Sequence, residues 1–78
     1  MNQKRRTQVS SVVDILEDCV TSLESICEEE QNAFDNLPES FRYSSRGEQM
    51  EEFLSTLADA IDSLNDVTDS LLTNILND

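Results

Sequence analysis

A chain of 78 residues with seventeen acidic and five basic residues and no His is long enough for one domain with a thin core. No stretch approaches the ~18 consecutive apolar residues of a membrane span, and the basic "NQKRR" start leads into no continuous apolar segment. The net charge of −12 argues against direct binding of nucleic acid or anionic lipid and favours basic protein surfaces as partners.

The expected organisation is a single domain over 1–78, a complete small protein that is soluble and cytoplasmic. Residues 1–6 carry Lys4, Arg5 and Arg6 and are expected to form a basic, flexible N-terminus. From Asp14 onward two basic residues face seventeen acidic ones, a local charge of −15. Regular apolar spacing through this segment excludes a disordered acidic tail.

The first helix is expected over about 7–36. With Val9 as heptad position a, the a positions are Val9, Leu16, Leu23, Glu30 and Leu37. The d positions are Val12, Cys19, Ile26 and Ala33, and the e positions are Val13, Val20, Cys27 and Phe34. This stripe is wider than a two-stranded seam, and Glu30 is its one interruption. Thr7 or Ser10 is the expected N-cap, and Asn36 marks the end because Pro38 pushes the residue before it out of helical geometry. Cys19 and Cys27 lie eight residues apart, about 12 Å along a helix, too far to bridge within one chain. Both are expected to be free thiols buried in the stripe, with a symmetric disulfide across a dimer as the alternative.

A connector follows at 37–45, holding the sole Pro and the sole Tyr, with the sole Gly just beyond it. Pro38 suits the first turn of a short helical segment, and Leu37 and Phe41 are expected to plug the end of the fold. Arg46 is unfavourably placed for the helix dipole and is expected to pair with Glu30, Asp35 or Glu39, Glu30 foremost. A second reading makes Phe41, Arg42, Tyr43 and Arg46 an exposed binding tip, since aromatic residues and Arg dominate interface hot spots.

The second helix is expected over about 46–76. Ser45 and Glu48 fit a capping box. Taking Met50 as a, the a positions are Met50, Leu57, Leu64 and Leu71, the d positions are Phe53, Ala60, Val67 and Asn74, and the e positions are Leu54, Ile61, Thr68 and Ile75. Two helices of matched length and a short connector give an all-α, antiparallel two-helix hairpin. Its stripes are too wide for one seam, so pairing into a dimeric four-helix bundle is expected.

The segment Glu28–Glu52, "EEEQNAFDNLPESFRYSSRGEQMEE", resembles one found in small, acidic, mostly uncharacterised proteins of phages and other mobile elements. The pattern is close to E-x-x-E-A-[FY]-D-N-L-P-E-S-L-x-x-S-E-R-G-E-x-M-E-E, followed by A-I-D-S-L units. Phe34 to Ser40, Arg46, Gly47, Glu48, Met50, Glu51 and Glu52 fit it, as do Ala60 to Leu64. Phe41 stands where the pattern has Leu, Arg42 and Tyr43 where it is polar, and Ser45 where it has an acid. The match covers about a third of the chain. It implies a phage origin and a helical hairpin, and it implies no established activity.

On the second helix the outer c and f positions run Glu52, Ser55, Asp59, Asp62, Asp66 and Asp69, spaced about 5 Å along the axis. Every acid from residue 59 onward is Asp, a poorer helix former than Glu, and no Lys or Arg follows Arg46 to supply i,i+4 pairs. Short carboxylates at fixed spacing suit a mimic of a phosphate row. Asp14, Glu17, Asp18, Glu24, Glu28 and Glu29 offer a second row on the first helix. The plainer reading of both rows is a solvated, solubilising face.

All-α nucleotide pyrophosphohydrolases hold Mg²⁺ with ExxE and ExxD pairs, and Glu48-x-x-Glu51 and Asp59-x-x-Asp62 have that form. Asp59 and Asp62 point away from the apolar stripe, so they cannot converge with Glu51 inside a bundle. Nucleophilic chemistry lacks a His, zinc lacks a ligand set, and calcium lacks an Asp-rich loop with a central Gly. The chain is therefore expected to be no enzyme and to take no metal or other cofactor. The expected function is protein binding, foremost as a phage-encoded acidic inhibitor, a DNA mimic that occupies a basic, nucleic-acid-binding surface of a bacterial host protein. The alternative is a structural or assembly accessory that docks on a larger partner through its apolar stripe.

Overall fold

The computed structural model describes residues 1–77. Its elements are α1 (Gln3–Asp35), α2 (Glu39–Arg42) and α3 (Ser45–Leu71), and α3 runs on through a π-helical turn at Leu72–Leu76. The chain is all-helical among the described residues, and α1 and α3 lie antiparallel along each other as a hairpin with α2 at its closed end.

Side-chain burial recurs on α1 at Val9, Val13, Leu16, Val20, Leu23, Cys27, Glu30 and Phe34. On α3 it recurs at Met50, Leu54, Leu57, Ile61, Leu64, Thr68 and Leu71. Steps of three and four alternate, which is the spacing of a two-helix seam. In the heptad lettering above these are positions a and e. The a residues therefore meet their partners through e, and the d residues are left on one flank.

The seam alone buries little. Among the described apolar side chains only Val13, Val20 and Met50 are buried, and none of the large ones is completely shielded. Thr68 is buried at an e position, where its Oγ1 donates to the Leu64 carbonyl at 2.9 Å and so meets its own polar need within the helix. The Cα radius of gyration is 17.5 Å, against about 11.5 Å for a compact domain of this length. The hairpin is a rod of 59 × 15 × 14 Å.

Both ends of the rod are tied by arginines. At the open end the Arg6 guanidinium donates to the Ile75 carbonyl at 2.9 Å, in the π-helical turn that continues α3. At the closed end the Arg42 guanidinium donates to the Asp35 carbonyl at 2.7 Å and caps α1. A cation at a helix C-terminus is favourable for the dipole in both places.

Several local expectations are corrected. The helix starts at Gln3, so Lys4, Arg5 and Arg6 lie in its first turn and not in a segment before it. Its N-cap is Asn2, whose Oδ1 accepts from the Arg5 N–H at 2.9 Å, and not Thr7 or Ser10. Thr7 instead donates its hydroxyl to the Gln3 carbonyl. Asn36 does end α1. The Ser45–Glu48 capping box does not form: α3 begins at Ser45 with Ser44 as N-cap, and Ser44 turns its hydroxyl back to the Phe41 carbonyl.

The expected clasp is also absent. Arg46 is exposed and forms no hydrogen bond or ion pair with Glu30, Asp35 or Glu39. Arg42, closer to the end of α1, takes the bridging role. Leu37 is half-buried as expected of a plug, but Phe41 is 50% exposed.

Candidate interaction surfaces

Setting a and e toward the partner helix fixes where every other position goes. In an antiparallel pair, like-lettered flanks of the two helices fall on the same side, so d and g positions line one face and b and f positions the opposite face. Position c lies on the outside.

The d and g face is apolar or neutral. Between Arg5 and Glu29 on α1 it carries Gln8, Val12, Ile15, Cys19, Ser22 and Ile26. From Phe53 to Ser70 on α3 it carries Phe53, Thr56, Ala60, Ser63, Val67 and Ser70. No charge stands at these positions, although more than a quarter of the chain is charged. Ile15 is 61% exposed, and Val12, Ile26, Phe53 and Val67 are each about half exposed.

Three shallow hollows run along this face. One lies between Val9, Val12 and Leu71, with Met1 and Arg5 at its rim. The next lies between Ile15, Cys19, Leu23 and Leu64. The third lies between Ile26, Phe53 and Leu57, with Glu30 at its rim. Together they form one interrupted apolar groove from the open end to the closed end. Cys19 is exposed in it and Cys27 is only partly buried, so the expectation of two buried thiols is corrected. Both are free, as expected.

The b and f face is acidic. Asp14, Glu17, Glu24 and Glu28 reach it from α1, and Glu48, Glu51, Asp62 and Asp69 from α3; all are exposed. Glu24, Glu28 and Asp62 flank one hollow with Gln31, so carboxylates of the two helices converge there. Glu52, Asp59 and Asp66 stand outside α3 at position c and are also exposed.

The six acids proposed as a row on α1 do not share one line. Asp14, Glu17, Glu24 and Glu28 hold the b/f face, Asp18 sits at the rim of the apolar groove, and Glu29 lies on the g flank. The cause is their spacing, which includes steps of one and six residues. The row on α3 keeps its three-and-four spacing and its straight course. Glu48 and Glu51, which the two acidic rows expected from the sequence leave out, belong to the acidic face. Among the described residues no group of three or more His, Cys, Asp or Glu is arranged to hold a metal ion.

The basic residues are confined to the ends. No Lys or Arg occurs between Arg6 and Arg42 or after Arg46, so the body of the hairpin has no cation to offset its carboxylates.

The connector presents Tyr43 at 84% exposure beside the half-exposed Phe41. Arg42 and Arg46 are exposed as well, but the Arg42 guanidinium is engaged with α1. Sequence reasoning missed the part played by Gly47. A Cβ there would meet the Arg42 carbonyl carbon at 2.6 Å and the Phe41 carbonyl oxygen at 2.8 Å. Gly47 is thus required because the backbone of α2 lies directly on the first turn of α3.

In comparisons with known proteins, no family model, no curated protein and no solved structure matches the chain. No helix among the described residues is long and apolar enough to cross a membrane.

Proposed function

We propose that this chain is a non-enzymatic protein-binding module that presents an acidic face to a basic, nucleic-acid-binding surface of another protein. The observation that carries the reading is the convergence of carboxylates from both helices on one face, with no cation along the whole body of the hairpin. A face built only for solubility gains from mixed charge, because i,i+4 pairs stabilise helices and single-sign fields strain them. This face forgoes that gain. The short Asp side chains of α3 hold their charge close to the helix at about 5 Å intervals. Such a row suits a surface evolved to grip a polyphosphate backbone.

The resemblance of residues 28–52 to proteins of phages makes a bacterial host protein, such as a defence nuclease or DNA-binding factor, the target of this reading and inhibition its outcome. The connector tip, with Tyr43 and Phe41 exposed, is a secondary contact.

The working form in this reading is a dimeric four-helix bundle. Its support is area: the hairpin exposes 5712 Å², whereas a folded monomer of this mass exposes about 4,800 Å². The excess is close to the ~800 Å² that each partner contributes to a standard interface.

The apolar groove favours a second reading, in which the chain is an accessory that docks on a larger partner. The two separate by competition. In the first, a captured host protein is displaced by duplex DNA or RNA, and the variant with Asp59, Asp62, Asp66 and Asp69 all changed to Asn binds it roughly 10- to 100-fold more weakly. A captured protein that the Asn variant holds equally well, and that DNA and RNA fail to displace, overturns the acidic-face reading in favour of apolar docking.

A further inference from the structure

The two broad sides of the hairpin differ in what a second copy of the same chain would meet there. Positions b and f carry the carboxylates of the acidic face and no Lys or Arg on either helix. An isologous contact joins a patch to its own copy, so pairing through that side would set carboxylates against carboxylates and oppose association. Positions d and g are neutral from Gln8 to Ile26 on α1 and from Phe53 to Ser70 on α3. Charge enters that side only at its ends and rim. Arg5, Glu29 and Arg46 stand at d or g positions, and Asp18 and Glu30 edge two of the hollows. Two cations there face three anions, so the side is close to neutral.

We infer that a second copy of this chain covers the d and g side, hairpin stacked on hairpin, so that the two acidic faces come to lie on opposite outer sides of a four-helix bundle. The inference rests on the dimeric reading above and adds which side of the hairpin is used. It concerns the side alone and holds for either relative direction of the two rods.

Area and pattern both argue for a second copy as the occupant. The hairpin exposes 5712 Å², which exceeds the surface of a compact monomer of its mass by about what one partner contributes to a standard interface. Another copy also matches the 59 Å rod along its whole length. With a and e spent on the seam, d is the filled position left to face a second hairpin, as in a four-helix bundle. Val12, Ile15, Ile26, Phe53 and Val67, all about half exposed or more in the single hairpin, then share one apolar interface.

The experiment follows the full chain by sedimentation equilibrium over a range of concentrations. The parent is expected to be a dimer that dissociates on dilution. Ile15→Gln with Val67→Gln, both at exposed positions of the single hairpin, should weaken dimerisation roughly tenfold or more. Thr21→Gln with Ala58→Gln, on the acidic side, should leave it within about twofold. Circular dichroism checks that each variant is helical, and a second measurement decides where one is not. Cys19 is exposed at a d position, so its alkylation in Cys27→Ser should slow as concentration rises through the dimerisation range. A thiol on the acidic side, Thr21→Cys in a chain with Cys19→Ala and Cys27→Ser, should react at one rate throughout.

A parent that is monomeric at every concentration overturns the dimeric reading and this side together, and leaves the apolar side to a different protein. A dimer that withstands the two Gln changes, or whose Cys19 reacts at an unchanged rate, overturns the side alone. The acidic-face reading is tested apart from both, by displacement with DNA or RNA.

Discussion

The guanidinium of Arg6 lies 2.9 Å from the carbonyl oxygen of Ile75 and joins the first turn of the chain to its last. That carbonyl lies in the π-helical turn at Leu72–Leu76, and a cation there answers the helix dipole. Arg6→Met keeps the aliphatic stem and removes the donor. We expect a loss of about 1 kcal/mol in urea unfolding, with faster amide exchange confined to residues 72–77. Unchanged exchange there would show that the open end closes without Arg6.

The closed end depends on a close approach. Gly47 lets the α2 backbone rest on α3, and Ala cannot fit without moving the carbonyls of Phe41 and Arg42. Gly47→Ala should cost roughly 1–3 kcal/mol, a fall in Tm on the order of 10 °C. This holds although Ala is otherwise the better helix former. A variant as stable as the parent contradicts the packing of α2 on α3.

Arg42 and Tyr43 are adjacent but do different work. Arg42 caps α1 through the Asp35 carbonyl, whereas Tyr43 touches little. Arg42→Gln should lower stability by about 1 kcal/mol, and Tyr43→Ala should leave it within about 0.5 kcal/mol. Thermal melts of the two variants, run side by side, check this division.

Uncompensated carboxylates along the rod repel one another. Raising NaCl from about 20 mM to about 500 mM screens them, so thermal stability should rise with salt. The variant with Asn at 59, 62, 66 and 69 should be at least as stable as the parent at low salt and should gain less from added salt. Stability that falls with salt would mean that attractive pairs, and not repulsion, dominate the surface.

Much of the architecture is legible in the residues. Heptad spacing, Asn36 before Leu37-Pro38 and the matched helix lengths point to the hairpin. The choice of seam does not follow as directly, because a–d and a–e spacings fit the same apolar residues. Bulk favours e at four levels, with Ile61 over Ala60 and Ile75 over Asn74 on α3 and Val20 over Cys19 and Phe34 over Ala33 on α1. But d holds the larger or more apolar residue at Phe53, Val67 and Ile26. With the seam at a/e, the absence of charge at d and g becomes visible in the sequence, and so does the apolar face. Arg46 was a plausible clasp by dipole reasoning, but which arginine reaches the α1 carbonyls depends on the turn at Tyr43–Ser44. Nothing in residues 71–76 signals the π-helical turn.

The most direct test is affinity capture from bacterial lysate at low and at high salt, with the parent chain and the four-Asn variant in parallel. Capture of a basic nucleic-acid-binding protein that is released by salt and lost in the variant is the result this account predicts. A catch that survives high salt and is retained by the variant would contradict it and return the function to the apolar face.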